Sequence, residues 1–225
     1  MKKNEIIKDE RFCGEDWYNA PAFSPDGRTM YFSAARKRMM PYEYINLDYD
    51  LCSVSFDAKT GKFGDRIDTL FVASKRGKSV SFARPSYDGK YVLFSLCGYG
   101  MLSVYNKDAD LWLYDVKKKT ARPLDELNTK DSESFHNWSS DSRWIVFTSR
   151  RDDGFHAHLY FSAVGKDGRM GKPFMLPQKD PWEYYTNLTA TYNVPEFIIK
   201  PVPVDKQRMV SKLHTKDRLQ VKVRH

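Results

Sequence analysis

Short apolar runs alternate with polar turns along this chain, and they do so with a repeat. Ala22-Phe23-Ser24-Pro25-Asp26-Gly27-Arg28-Thr29-Met30-Tyr31-Phe32-Ser33 reads as a strand, a tight Asp-Gly turn and a second strand. Asp-Gly between two apolar runs predicts a hairpin, because glycine takes positive φ without steric cost. The pattern returns from Arg84 to Ser95 around Asp88-Gly89, and again from Asn137 to Ser149 around Asp141-Ser142. Asp26, Asp88 and Asp141 align, as do Phe32, Phe94 and Phe147. A repeat array with insertions is therefore the first expectation.

Each hairpin is followed by a matching third run, beginning at Asp50, Asp110 and His158. A polar turn and a fourth short segment close each unit, at Asp68-Thr69-Leu70, Arg122-Pro123-Leu124 and Pro173-Phe174-Met175-Leu176. Four strands per unit of roughly 40 to 50 residues is the pattern of a β-propeller blade. The predicted fold is all-β: a partial β-propeller of about three four-stranded antiparallel blades, near residues 20–70, 80–125 and 135–177. The three aligned phenylalanines are expected between blades, with Trp112, Trp138 and Trp144. Short helix is expected only within 34–49 and 181–192.

The Ser-Pro-Asp-Gly hairpin and the Asp110-Leu111-Trp112-Leu113-Tyr114-Asp115 strand resemble the TolB-like β-propeller repeat. Glu133-Ser134-Phe135-His136-Asn137-Trp138-Ser139-Ser140, with Ser149-Arg150-Arg151, resembles the TolB-like propellers of Bacteroidetes-type bacteria. The resemblance spans about residues 15–200 and implies a fold rather than a reaction. It also implies a longer protein exported to the periplasm or cell envelope, of which this chain would be a part. No signal-peptide pattern opens the sequence, so a complete chain would instead be expected in the cytoplasm.

Composition changes this picture little. The 225 residues are 15% aromatic, which suits an all-β protein. No apolar run reaches the ~20 residues of a membrane helix. Much of the net charge of +8 sits beyond Lys200, so the division expected is a propeller segment at 1–200 and a basic, extended or disordered tail at 201–225. No recognition helix, zinc finger or aromatic-basic RNA motif accompanies that tail, so nucleic acid is not the expected partner. Cys13, Cys52 and Cys97 lack metal or redox spacing, and the last two read as small buried hydrophobes.

Chemistry-bearing motifs are sparse. The chain has no nucleophile elbow, phosphate loop, dinucleotide fingerprint or metalloprotease helix. Asp48-x-Asp50 and Asp108-x-Asp110 lack the further ligands of a calcium loop. No cofactor or metal is expected. Propeller topology places the loops 34–49, 74–82, 96–109, 129–136 and 149–157 on one face. That face gathers Arg36, Arg38, Lys75, Arg76, Glu133, His136, Arg150 and Arg151. Guanidinium groups suit carboxylates and phosphates, which points to a non-catalytic module binding a protein, peptide or anionic glycan. The alternative is a lyase or glycan-processing enzyme using His136 with Glu133, Arg150 or Arg151 at the channel mouth. Open blade edges would also favour self-association.

Overall fold

A computed structural model describes residues 5–37, 46–201, 203–215 and 222–224. The chain forms two units, one of Met1–Gly14 with Ile198–His225 and one of Glu15–Phe197. In the first, β1 (Glu5–Ile7) pairs in parallel with β14 (Lys222–Arg224). The basic tail also carries a helix over Lys206–His214, where an extended or disordered stretch was expected. Asp205 caps it by accepting the Arg208 N–H at 3.0 Å, the satisfaction that a free helix N-terminus needs.

The second unit holds three antiparallel meanders. Blade 1 is β2 (Trp17–Phe23), β3 (Thr29–Ala35), β4 (Asp50–Asp57) and β5 (Lys62–Phe71). Blade 2 is β6 (Ser79–Pro85), β7 (Tyr91–Cys97), β8 (Asp110–Asp115) and β9 (Thr120–Pro123). Blade 3 is β10 (Glu133–Trp138), β11 (Trp144–Ser149), β12 (His158–Ala163) and β13 (Phe174–Met175). This is an all-β, partial β-propeller.

The repeated turn has one chemical design. Ser24, Ser86 and Ser139 each donate their hydroxyl to the aspartate two residues on, at 2.6, 2.7 and 2.6 Å. Each serine oxygen then accepts the N–H that opens the next strand. Gly27 and Gly89 take φ of 68° and 70°, but blade 3 has Ser142 there at φ 58°. A non-glycine residue is strained in this region. Ser142 offsets the strain by accepting the Asp88 N–H at 2.9 Å, tying neighbouring turns together.

The first strand of each blade carries a bulge at an equivalent place, between Asn19 and Ala22, Ser81 and Arg84, and Ser134 and His136. Bulges and edge strands tolerate proline, which explains Pro21 and Pro85 within strand sequence.

Strand alternation sends successive side chains to opposite faces, so each blade buries one face against the next. Tyr31, Leu51 and Ala73 of blade 1 pack with Val80, Val92, Phe94, Leu96 and Tyr114 of blade 2. Leu93, Leu111, Leu113 and Leu124 then meet Trp138, Ile145, Phe147 and Tyr160 of blade 3. The Trp138 indole donates to the Arg84 carbonyl at 2.9 Å. Phe94 and Phe147 thus sit between blades as expected, whereas Phe32 is buried beside Tyr18 on the face of blade 1 turned from blade 2. Trp144 departs from expectation. It is 40% exposed and meets Phe174 edge-on, on the face of blade 3 turned from blade 2.

After β13, a short helix α1 (Pro181–Thr186) leads into a segment that returns along blade 3. Tyr192 N–H donates to the Ala157 carbonyl, and Phe197 meets the Phe161 ring edge-on.

Candidate functional site

In a four-stranded antiparallel meander, the link between the second and third strands lies at the same end as the entry to the first. The β3–β4, β7–β8 and β11–β12 links therefore share an end with the entries to β2, β6 and β10. Of the eight residues expected there, seven are described; Arg38 lies outside the described residues. The structure divides the seven into a buried group and a surface group.

Glu133 leads the buried group, with no exposed surface. Its carboxylate accepts from Thr129 N–H at 2.8 Å, Thr129 Oγ1 at 2.9 Å and Ser149 Oγ at 2.7 Å. Burial nonetheless holds its pKa above the ordinary carboxylate value. Arg151 sits 3.4 Å from the same carboxylate and donates to the Leu127 carbonyl at 2.7 Å. Its guanidinium also covers the Tyr160 ring. Arg151 thus braces loop, carboxylate and ring, a role that leaves little of it for a ligand.

His136 is buried in the junction of blades 2 and 3. Nε2 lies 3.2 Å from the Leu93 carbonyl, and Nδ1 lies 3.5 Å from Ser95 Oγ. Burial pushes its pKa down to about 4, with help from the Arg84 charge. The lyase-type alternative asked for this histidine at an open mouth; the fold places it inside the wall. The other two histidines of blade 3 have carboxylates of their own. His158 Nδ1 is 2.8 Å from Asp152, and His156 Nδ1 is 2.6 Å from Asp153. Those aspartates serve histidines and the Tyr160 hydroxyl rather than the neighbouring arginines.

The surface group is Arg36, Lys75 and Arg76, all exposed, with Arg150 half-buried beside Arg151. Other cations of the same loops are paired: Lys37 with Glu15, Lys78 with Asp108 and Lys107 with Asp131. Arg36, Lys75 and Arg76 have no carboxylate partner among the described residues. Arg76 rests over the Phe71 ring at 5.1 Å, which fixes its guanidinium near the blade 1–blade 2 junction.

Arg36 and Lys75 share a cleft of about 560 Å³ in blade 1, which Tyr18, Ala34, Cys52, Ile67 and Thr69 also line. Sequence reasoning missed this cleft. The signal was present as a small residue, Cys52, at a repeat position that carries Trp112 and Tyr160 in the other blades. Of the carboxylates at its edge, Asp50 accepts the Ala73 and Ser74 N–H groups, both at 2.8 Å. Asp50 and Asp108, which accepts the Gly98 N–H at 3.2 Å, thus anchor loops. Among the described residues, no group of three or more His, Cys, Asp or Glu side chains is placed to hold a metal ion. No helix among them is long and apolar enough to cross a membrane.

No protein family matches the chain by sequence, and no curated protein does. Several solved propellers are similar in structure. TolB from Acinetobacter baumannii is 18% identical, with 70% of this chain and 32% of that one covered, at a TM-score of 0.41. The β-propeller domain of the Trilobed protease from Pyrococcus furiosus is 16% identical, with 74% and 44% covered, at 0.43. An oligogalacturonate lyase from Vibrio parahaemolyticus is 14% identical, with 69% and 38% covered, at 0.43. The chain spans less than half the length of each of these three proteins.

Proposed function

We propose that this protein is a non-catalytic binding module that takes an acidic partner, a peptide segment of another protein or an anionic glycan, on the loop end of its blades. The observation that supports this is the contrast among cations of one surface. Lys37, Lys78 and Lys107 are neutralised by neighbours, whereas Arg36, Lys75 and Arg76 stand exposed without a carboxylate partner among the described residues. Unpaired guanidinium groups offer planar paired donors to carboxylates. Arg150 extends the same surface onto blade 3, and Arg151, Glu133 and His136 support it from beneath. The TolB-like repeat resemblance makes the cell envelope the proposed setting.

Oligoglutamate and polygalacturonate are suitable probes, titrated at low and moderate salt. The triple change Arg36→Ala, Lys75→Ala, Arg76→Ala should weaken binding by roughly tenfold or more, equivalent to about 1.4 kcal/mol, and flatten its salt dependence. Its melting temperature should stay near that of the parent, because the three side chains are exposed. Deleting residues 201–225 should change affinity little. Loss of binding on tail deletion, with the triple change silent, would overturn the proposal. Comparing the two probes tells a peptide partner from a glycan.

A further inference from the structure

One equivalent position differs among the three blades. Phe94 of β7 pairs across the sheet with Trp112, and Phe147 of β11 pairs with Tyr160. In blade 1 the same register pairs Phe32 with Cys52. In blade 3 an arginine lies over that ring. Arg151, two residues beyond Ser149 of β11, lies 4.4 Å from the Tyr160 ring centre. In blade 2 the position of that arginine is Gly98, and Trp112 is instead covered by Phe71 of blade 1 at 5.4 Å, with Arg76 of the following link over Phe71.

Compared with blade 3, blade 1 keeps the arginine and lacks the ring. Arg36 stands two residues beyond Ala34, the position that Arg151 holds relative to Ser149. Cys52 stands where blade 3 has Tyr160, and Arg36 and Cys52 both line the 560 Å³ cleft. Ala34 and Cys52 face away from blade 2, because Tyr31 and Leu51 on the alternate positions are the ones packed against it. Tyr18 forms one wall, held edge-on to Phe32 at 5.7 Å. Ile67 and Thr69 from β5 form another, and Lys75 joins Arg36 at the rim. The volume falls within the range of specific ligand sites. Asp16 lines the same cleft, offering a carboxylate of the kind Asp152 presents to the Tyr160 hydroxyl at 2.7 Å.

We propose that the blade 1 cleft receives an aromatic side chain of a partner polypeptide, a tyrosine by preference, seated beneath Arg36 in the place that Trp112 and Tyr160 fill in the other blades. A cation over a ring face is attractive, and apolar walls from Tyr18, Ala34 and Ile67 with the carboxylates of Asp16, Asp48 and Asp50 also lining the cleft suit a phenol. The inference rests on the reading of this loop end as a binding surface, and it names what one part of that surface takes.

The test is a titration of the full chain with N-acetyl-tyrosinamide, N-acetyl-leucinamide and oligoglutamate, followed by backbone amide NMR. Tyrosinamide should bind saturably and at least about tenfold more tightly than leucinamide, with shifts centred on Tyr18, Ala34 and Cys52. Cys52→Trp, which supplies the ring from within, should abolish tyrosinamide binding and melt no lower than the parent. Arg36→Ala should weaken it by roughly three- to tenfold. If Cys52→Trp does not fold, Ala34→Leu, the residue type of Leu96 in blade 2, fills the same space and should give the same loss. Equal binding of leucinamide, or tyrosinamide binding that survives the filled cleft, would overturn the proposal. Oligoglutamate bound with tyrosinamide unbound removes the cleft and leaves the acidic-partner reading standing. Neither bound removes both.

Discussion

The Arg151 guanidinium carbon lies 4.4 Å from the centre of the Tyr160 ring, while the same side chain reaches the buried Glu133 carboxylate at 3.4 Å. Equivalent arginines in this repeat therefore do different work. Arg151 is bound into the junction of two blades, and Arg36, its counterpart in blade 1, is exposed.

Arg151→Ala should accordingly destabilise the fold. It leaves Glu133 buried without a counter-charge and the Leu127 carbonyl without its donor. Breaking a buried pair typically costs about 3–5 kcal/mol, and the longer 3.4 Å contact argues for the lower end. Arg36→Ala should stay within about 0.5 kcal/mol of the parent, as exposed changes do. Urea melts of the two variants side by side measure the contrast; equal effects would refute it.

Phe94→Ala and Phe147→Ala should each cost roughly 3–5 kcal/mol, the usual toll of removing a fully buried ring. Both rings have no exposed surface and lie in the clusters that join blades. Trp144→Ala, at an aromatic of the same hairpin, should cost much less because that ring is 40% exposed. Chemical denaturation ranks the three directly.

Acid should loosen the junction of blades 2 and 3 through His136. Its folded pKa of about 4 lies below its ordinary 6.5, so the unfolded chain takes up this proton first as pH falls. The stability tied to the neutral ring is complete above pH 6.5 and drains away as pH drops toward 4, by up to about 3 kcal/mol for this group. Glu133 acts in the opposite sense: its raised pKa contributes stability that is lost as pH rises through its folded value. The His136 imidazole NMR resonances should titrate near pH 4. If they titrate near 6.5, His136 is not buried as described.

Thiol reactivity should separate the three cysteines. Cys13 is exposed, whereas burial lifts the Cys52 thiol to about 11 and the Cys97 thiol to about 12. A thiolate-specific disulfide reagent at neutral pH should label Cys13 promptly, Cys52 more slowly because burial raises its thiol pKa, and Cys97 only after unfolding. Prompt labelling of Cys97 would contradict its place in the core.

The Asp-Gly turns, the alternation of apolar positions and the repeated third strand were enough to specify three four-stranded blades, because these signals are local. A turn needs its own residues, and a strand shows its buried face by a period of two. The loop end was legible for the same reason, since strand order alone puts those links together. Pairing across blades was not local, and there the reading of single residues changed. Glu133, His136 and Arg151 read as a mouth cluster in sequence, yet packing of blade 3 on blade 2 buries Glu133 and His136, and hydrogen bonding ties Arg151 to Glu133 and the Leu127 carbonyl. Trp144 read as an inter-blade ring like Trp112 and Trp138 but faces the side of blade 3 that no further blade covers among the described residues. The cleft beneath Arg36 was written in the chain only as a cysteine where other blades have a ring. Whether that absence becomes a hole or is filled by a neighbour depends on what packs against the sheet, which no stretch of sequence records by itself.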